Sequence, residues 1–138
     1  MNIQELRGGD AAALGYPVLR ELRPHVDEAA FLQVLTDAPG YRFFGAMEEG
    51  RCVGVLGCRV LLDYVHGRHL YVDDLVVAES AGRSRGIGGK LLAFAEALAR
   101  EEKCISVRLC TGVENERGRS FYERHGWKLR AVAYKKAW

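Results

Sequence analysis

The apolar positions near the start of the chain follow two periods, first that of a strand and then that of helices. Alternation of apolar and polar residues predicts a first short strand over residues 2–7. Apolar residues at helical spacing then predict a helix over residues 10–22, with Asp10 as its N-cap, and a second over residues 27–36, capped by Asp27. Two helices are therefore expected before the main block of strands.

The middle of the chain predicts a meander of three strands followed by a crossover. The predicted elements are strands over 41–47 and 51–62 around a tight turn at 48–50, a turn over 63–68, a strand from Tyr71, a helix over 88–102 and a strand over 105–110. A right-handed crossover through that helix would make the last two strands parallel. One βαβ unit is therefore expected within the sheet.

The last part of the chain predicts one more helix and a return to the sheet. Asn115 can cap a short helix that contains Ser120, Phe121 and Tyr122, and Gly126 stands where a left-handed residue would end it. Residues 127–138 are predicted to form one or two strands. The order β-α-α-β-β-β-α-β-α-β predicts an α/β or α+β fold with a mixed, mostly antiparallel central sheet flanked by helices.

Composition narrows the class of protein. A chain of 138 residues, 49% hydrophobic and 28% charged, fits a single globular domain over residues 1–138. A net charge of +2 does not favour a nucleic-acid partner. No apolar run approaches the roughly 20 residues of a membrane span, and the start resembles no signal peptide, so we expect a cytoplasmic protein without a membrane partner.

The cysteines do not indicate a metal site. They stand at positions 52, 58, 104 and 110, without a close Cys-x-x-Cys pair, and most fall in predicted strands. Free thiols are therefore expected rather than zinc ligands or disulfides. We expect no metal.

A basic, glycine-rich junction joins the strand from Tyr71 to the helix that follows. The first turn of a helix leaves backbone N–H groups without partners and carries the positive end of the helix dipole, so anions bind there. Gly86, Gly88 and Gly89 would let the backbone approach a phosphate, and Arg83 and Arg85 add charge-assisted donors. The junction predicts a pyrophosphate site.

Spacing separates this junction from two other phosphate-binding loops. A Walker A loop needs an earlier glycine where Ser84 stands and a Ser or Thr where Leu91 stands. A dinucleotide fingerprint would also need its third glycine at position 91. A plain turn between a strand and a helix is the remaining structural alternative.

Two segments resemble the GNAT superfamily of N-acetyltransferases. Residues 83–88, Arg-Ser-Arg-Gly-Ile-Gly, match the family's Arg/Gln-x-x-Gly-x-Gly/Ala loop. Residues 115–127 are similar to a second family segment, Asn-x-x-(x)-x-x-Phe-Tyr-x-x-x-Gly-Phe. Phe121 and Tyr122 stand at its Phe-Tyr positions. The family shares the predicted order of elements, and the resemblance spans most of the chain, strongest between residues 71 and 127.

This resemblance implies acetyl-CoA as the cosubstrate, bound where the family's sheet splays open. Leu75, Val76 and Val77 would then offer backbone groups to the pantetheine arm. Asn115 would bond the same arm. The pyrophosphate would be held by Arg83, Ser84, Arg85, Gly86, Ile87 and Gly88, with Gly89 and Lys90 opening the helix beneath it.

The resemblance also implies catalytic residues. Tyr122 matches the family's tyrosine, which would donate a proton to the departing thiolate and touch the cofactor; packing of its ring on the helix is the alternative. Asp73 and Asp74 are candidates for the base. Since successive strand residues point to opposite faces, at most one is expected to face the cleft. The family's acidic pair favours Asp73, while a structural or cation-binding role for either aspartate stays open.

The implied function is transfer of an acetyl group from acetyl-CoA to a primary amine of a small molecule or protein. A non-catalytic acyl-CoA-binding regulatory module is the alternative, and a dinucleotide-binding protein is a third. The sequence does not choose among polyamines, amino acids, drugs and protein amines. Large apolar side chains at Trp127, Tyr134 and Trp138 favour a homodimer.

Overall fold

The computed structural model describes residues 1–82 and 85–138. One five-stranded sheet runs in the order β1-β2-β3-β4-β5. Its strands are β1 (Asn2–Glu5), β2 (Arg42–Glu48), β3 (Arg51–Asp63), β4 (Gly67–Val77) and β5 (Ser106–Leu109). The α-helices are α1 (Gly8–Asp10), α2 (Tyr16–Leu22), α3 (Glu28–Asp37), α4 (Ile87–Glu101) and α5 (Glu116–Arg124).

The sheet is mixed and mostly antiparallel, as predicted. Strands β1 to β4 pair antiparallel, and β5 pairs parallel with β4 after the α4 crossover. The turn between β2 and β3 places Glu49 at φ 52° and Gly50 at φ 75°. Two successive left-handed residues match the right-handed twist of a tight hairpin, so this turn sets the register of the meander.

The first helical segment begins earlier than the sequence predicts. Helix α1 starts at Gly8 after an extended Arg7, so Asp10 lies inside the helix and is not its N-cap. A π-helical turn over Ala11–Gly15 then joins α1 to α2. A side chain at Gly15 would collide with the ring of Phe43, so glycine lets this irregular turn lie directly on β2.

The helices cover the sheet from both sides and bury two apolar clusters. Helix α4 covers one face, where Leu91 and Ala95 pack with Leu56 of β3. Helices α2 and α3 cover the other face, where Phe31 packs edge-on against Phe43, with ring centroids 5.2 Å apart. The sheet is therefore the middle layer, and its strand ends carry the site described below.

Short-range signals for the later helices are confirmed. Asp27 accepts a 2.8 Å hydrogen bond from the Ala30 amide at the start of α3. Asn115 accepts a 3.0 Å bond from the Gly118 amide at the start of α5. Gly126 follows α5 with φ 87°. These features depend on residues at most a few positions apart, which is why the sequence predicts them well.

The prediction of strands over residues 127–138 is wrong. No strand or helix is present there, and Leu129, Val132, Tyr134 and Trp138 are largely exposed. Strand-like composition forms a strand only where another strand pairs with it, and this segment has no such partner within the described chain. Of the helices in the described ranges, none combines the length and the apolar character needed to cross a membrane.

Candidate active site

Strands β4 and β5 pair over only part of their length. Their register ends at Val72 opposite Leu109. Strand β4 continues to Val77 and there, among the residues that the structure describes, pairs with β3 alone, on its other side. Residues 73–77 therefore present one backbone edge that β5 does not cover, and Leu75, Val76 and Val77 lie on that open edge.

Helix α4 begins beside the end of β4 without a side-chain cap. Its N-cap residue, Gly86, has φ 77°, a left-handed conformation that favours glycine. The first intrahelical bond at this end runs from the Lys90 amide to the Gly86 carbonyl. The amides of Ile87, Gly88 and Gly89 precede it, and no acceptor for them occurs within residues 1–82 and 85–138.

The charged residues of the junction differ in their surroundings. The Nη2 atom of Arg85 donates to both carboxylate oxygens of Glu48 on β2, at 2.8 Å each, and this contact lowers the pKa of Glu48. Lys90 is exposed in the first turn of α4. Arg83 and Ser84, which were also predicted to bind pyrophosphate, lie outside the described residues.

Helix α5 packs against the start of α4. A Cβ atom at Gly88 would lie 2.9 Å from the Phe121 ring and 3.5 Å from Val77, and one at Gly89 would lie 3.0 Å from His125. The absence of side chains at these two glycines therefore lets α5 approach the start of α4 closely. The packing brings Tyr122, next to Phe121, to the same end of the sheet.

The Tyr122 side chain is partly buried. Its ring lies 5.2 Å from that of Phe121 and 5.9 Å from that of Trp127, between centroids. Burial raises the pKa of the Tyr122 phenol, and the charge of Arg23 opposes that rise. Among the described residues, no hydrogen bond engages its hydroxyl. The raised pKa favours the protonated form of the Tyr122 phenol.

Asp73 occupies a β-bulge in β4. Gly57 pairs with Asp74 and Cys58 with Val72, so Asp73 has no partner on β3. Its carboxylate accepts 3.0 and 2.8 Å bonds from Arg59. Burial nevertheless raises the pKa of Asp73, against the opposing effect of Arg59. The bulge breaks the regular alternation on which the expectation of a single cleft-facing aspartate rested.

Asp74 is held by two residues that are distant in sequence. The Tyr41 hydroxyl donates to its Oδ2 at 2.9 Å, and Arg23 Nε donates to its Oδ1 at 3.1 Å. Burial, followed by the charge of Asp74, raises the pKa of Tyr41, which stays a hydrogen-bond donor. A side chain at Gly57 would collide with the Tyr41 hydroxyl, so glycine is needed opposite this pair.

Arg23 links the two aspartates to the neighbourhood of Tyr122. Besides its bond to Asp74, its Nη2 donates to the Asp73 carbonyl oxygen at 3.1 Å. Arg23, Tyr41 and Arg59 did not emerge from the sequence, because each meets its aspartate only through the fold. The only local signal for them is an unusually polar pair, Asp73-Asp74, inside an otherwise apolar strand.

The Asn115 side chain has a structural role at the start of α5. Its side-chain oxygen Oδ1 caps α5, and its side-chain nitrogen Nδ2 donates to the Thr111 hydroxyl at 3.0 Å. The predicted contact with a cofactor arm stays a prediction. No grouping of three or more potential metal ligands occurs within residues 1–82 and 85–138, where all four cysteines are free thiols.

Comparison with known proteins decides the family. The model of the acetyltransferase (GNAT) family matches residues 11–127. The chain belongs to the GNAT acetyltransferase family. This confirms the fold and the activity expected from the two sequence segments: the protein is an acyltransferase that uses acetyl-CoA for N-acetyl transfer.

Individual relatives agree with this assignment. An uncharacterized N-acetyltransferase, YhdJ of Bacillus subtilis (strain 168), is 26% identical over 140 residues, covering 99% of this chain and 98% of its own. The blasticidin-S acetyltransferase of Streptomyces morookaense is 36% identical over 117 residues, covering 83% and 76%.

Solved structures share the GNAT fold. The aminoglycoside N-acetyltransferase AAC(6')-Iy in complex with CoA superposes with a TM-score of 0.84 at 21% identity, over 98% of this chain and 93% of the other. A ribosomal-protein-alanine N-acetyltransferase from Brucella melitensis biovar Abortus 2308 gives a TM-score of 0.83 at 24% identity, over 99% and 98%. At these identities the likeness concerns the fold alone.

Proposed function

We propose that this GNAT protein binds acetyl-CoA along the open edge of β4 and transfers its acetyl group directly to a primary amine. The observation that carries the proposal is the end of the β4–β5 pairing at Val72, which leaves the last part of β4 uncovered by β5 near the uncapped start of α4. An extended pantetheine arm would bond the free backbone edge of Leu75, Val76 and Val77, as an added strand does.

The pyrophosphate of the cofactor would lie at the start of α4. The amides of Ile87, Gly88 and Gly89 can donate to it, and the helix dipole favours its negative charge. Arg85 and Lys90 would add positive charge, as would Arg83 with Ser84. Asn115 would donate to the pantetheine arm from the opposite wall of the gap.

The chemistry requires a neutral amine and two proton transfers. The amine nitrogen attacks the thioester carbon, and a tetrahedral intermediate forms. The intermediate collapses by breaking the carbon–sulfur bond, so the amide forms and CoA leaves as a thiolate. Asp73, whose pKa burial raises, would accept the proton of the amine through water. Tyr122, held protonated, would give its proton to the thiolate sulfur.

The proposal also includes a homodimer and a cytoplasmic location. The free edge of β5 and the exposed apolar side chains of residues 127–138 would be covered if two copies paired in a homodimer. Free thiols and a need for acetyl-CoA favour the cytoplasm. The acceptor is an amine of a small molecule or a protein.

The test is acetyl-CoA binding followed by product analysis. Thermal unfolding is measured with CoA, ATP and NAD, since a ligand at a hundred times its Kd stabilises by about 2.7 kcal/mol. We expect stabilisation by CoA alone. An amine panel is then incubated with acetyl-CoA, and the products are identified by mass spectrometry. Stabilisation by NAD rather than CoA would contradict the proposal, and CoA binding without any N-acetyl product would favour a regulatory module.

A further inference from the structure

A cavity of about 200 Å³ lies between α2, α3 and the sheet. Most of its wall is apolar, formed by Leu19 of α2, Val26 of the following loop, and Phe31 and Val34 of α3. Its polar lining residues are Arg23, His25, Tyr41 and Asp74. The cavity therefore starts at Asp74 on β4, beside the open edge, and extends away from it under α3.

The cavity is closed by tightly packed aromatic rings at one end and is open to solvent at the other. Phe31 is only 2% exposed and lies 5.2 Å from both Tyr16 and Phe43, between ring centroids. Val34 is 43% exposed and stands at the opening. A ligand group can therefore enter past Val34 and end against a rigid aromatic floor.

The volume limits what can enter. An apolar cavity of roughly 150 Å³ holds one benzene molecule, so about 200 Å³ holds a single ring with a short linker. A polyhydroxylated group does not suit these walls, because its hydroxyls would lose their hydrogen bonds to water without gaining others. The cavity selects for one compact apolar group.

The polar end suits an amine. Both oxygens of Asp74 already accept one hydrogen bond each, and a carboxylate has capacity for more. Its side chain is 14% exposed, so it is within reach of a small ligand. The guanidinium of Arg23 balances its charge, so this end does not attract a polycation strongly.

From these observations we propose that the acceptor is a primary amine that carries one aromatic ring or branched aliphatic group, which fills the cavity while Asp74 orients the amine. The inference rests on the proposed acetyl-transfer function and names its substrate class. It excludes aminoglycosides and linear polyamines as preferred acceptors. Asp74 is in this view an acceptor-binding residue, while Asp73 takes the proton.

The test combines direct binding with kinetics on four amines. 2-Phenylethylamine, 3-methylbutylamine, ethylamine and kanamycin are titrated into the CoA complex by calorimetry, and acetylation by acetyl-CoA is followed as CoA release. The variant V34F fills the cavity opening, and L32F adds the same ring on α3 away from the cavity. We expect kcat/KM for 2-phenylethylamine to exceed that for ethylamine by about tenfold or more, as burial of a ring predicts.

The two variants give the discriminating result. V34F should lose about tenfold or more of the activity and affinity for 2-phenylethylamine, whereas L32F should match the parent protein. V34A, which enlarges the opening, should improve the use of 2-(1-naphthyl)ethylamine. The proposal would be overturned if neither of the two aromatic amines bound the CoA complex. Equal effects of V34F and L32F would overturn it as well. If the parent protein did not bind CoA at all, the proposed acetyl-transfer function would be refuted instead.

Discussion

The Tyr41 hydroxyl donates a 2.9 Å hydrogen bond to Asp74 Oδ2, joining the beginning of β2 to the middle of β4. The bond crosses β3 at Gly57, where any side chain would displace it. It places a carboxylate at the polar end of the cavity with a defined orientation, since Arg23 holds the other oxygen. Structure and acceptor binding thus depend on the same contact.

Removing this hydrogen bond should destabilise the protein. Tyr41→Phe keeps the ring but leaves Asp74 Oδ2 without its donor, and a hydrogen bond to a charged group contributes about 1.5–3 kcal/mol. We expect a loss of that size in the free energy of unfolding from urea titration. Tyr64→Phe, at a fully exposed tyrosine, is the control and should change nothing. Equal stability of the two variants would show that the Tyr41–Asp74 bond is not maintained in solution.

The pyrophosphate site can be tested by charge at a single position. Gly86 has φ 77° and open space where a side chain would lie. Asn and Asp both tolerate this left-handed conformation better than other residues, so Gly86→Asn and Gly86→Asp share the same backbone cost. Only Asp adds a negative charge beside the first amides of α4. We expect calorimetry to show at least about tenfold weaker CoA binding for Gly86→Asp than for Gly86→Asn, a difference of roughly 1.4 kcal/mol.

If the two Gly86 variants bound CoA with comparable affinity, the phosphate of CoA would not lie at the start of α4. Gly88 is less suitable for this test, because a side chain there would meet Phe121 and disturb the α4–α5 contact as well.

The role of Asp73 predicts a shift in pH dependence. Arg59 favours the charged form of Asp73 and so holds its pKa lower than burial alone would. In Arg59→Met the pKa of Asp73 should rise, so its carboxyl group should stay protonated up to a higher pH. The acidic limb of the kcat profile should therefore shift to higher pH. Arg68→Met, at an arginine that contacts Glu102 instead, is the matched control. An acidic limb at the same pH in all three proteins would exclude Asp73 as the proton acceptor.

Assembly is tested by the hydrodynamic size of the protein. The homodimer expected from residues 127–138 should give a dimeric mass in light scattering at assay concentrations. Replacing Trp138, which is fully exposed in one chain, by Asp should shift the mass toward the monomer if that end lies at the interface. A monomeric parent protein would contradict the proposal without affecting the acetyl-transfer site.

The sequence predicts those parts of the fold that depend on neighbouring residues. Asp27 and Asn115 cap helices through residues three positions away, and Glu49-Gly50 forms the expected tight turn. The glycine junction is also local, so the start of α4 is correctly placed to within one residue, whereas β4 begins at Gly67, four residues before the predicted Tyr71. The order of elements up to Gly126 follows from these signals.

Features that depend on distant residues did not follow from the sequence. The bulge at Asp73 exists because β3 and β4 slip by one residue at Gly57, which no periodicity reveals. Arg23 reaches Asp74 across 51 positions. Residues 127–138 have strand-like composition, but a strand also needs a partner, and none is present in the described chain. The cavity between α2, α3 and the sheet is likewise formed by elements that are far apart in sequence.

The most direct test of the central claim is single-turnover acetyl transfer by Tyr122→Phe, with the best acceptor amine from the panel. Phenylalanine keeps the ring packing against Phe121 and Trp127 and removes only the hydroxyl. A positioned acid contributes about a hundredfold to ten-thousandfold in rate, so we predict a loss of that size in product formation with CoA affinity unchanged. If the variant retains at least half of the parent rate across the pH range, Tyr122 is not the acid, and the thiolate receives its proton from another source.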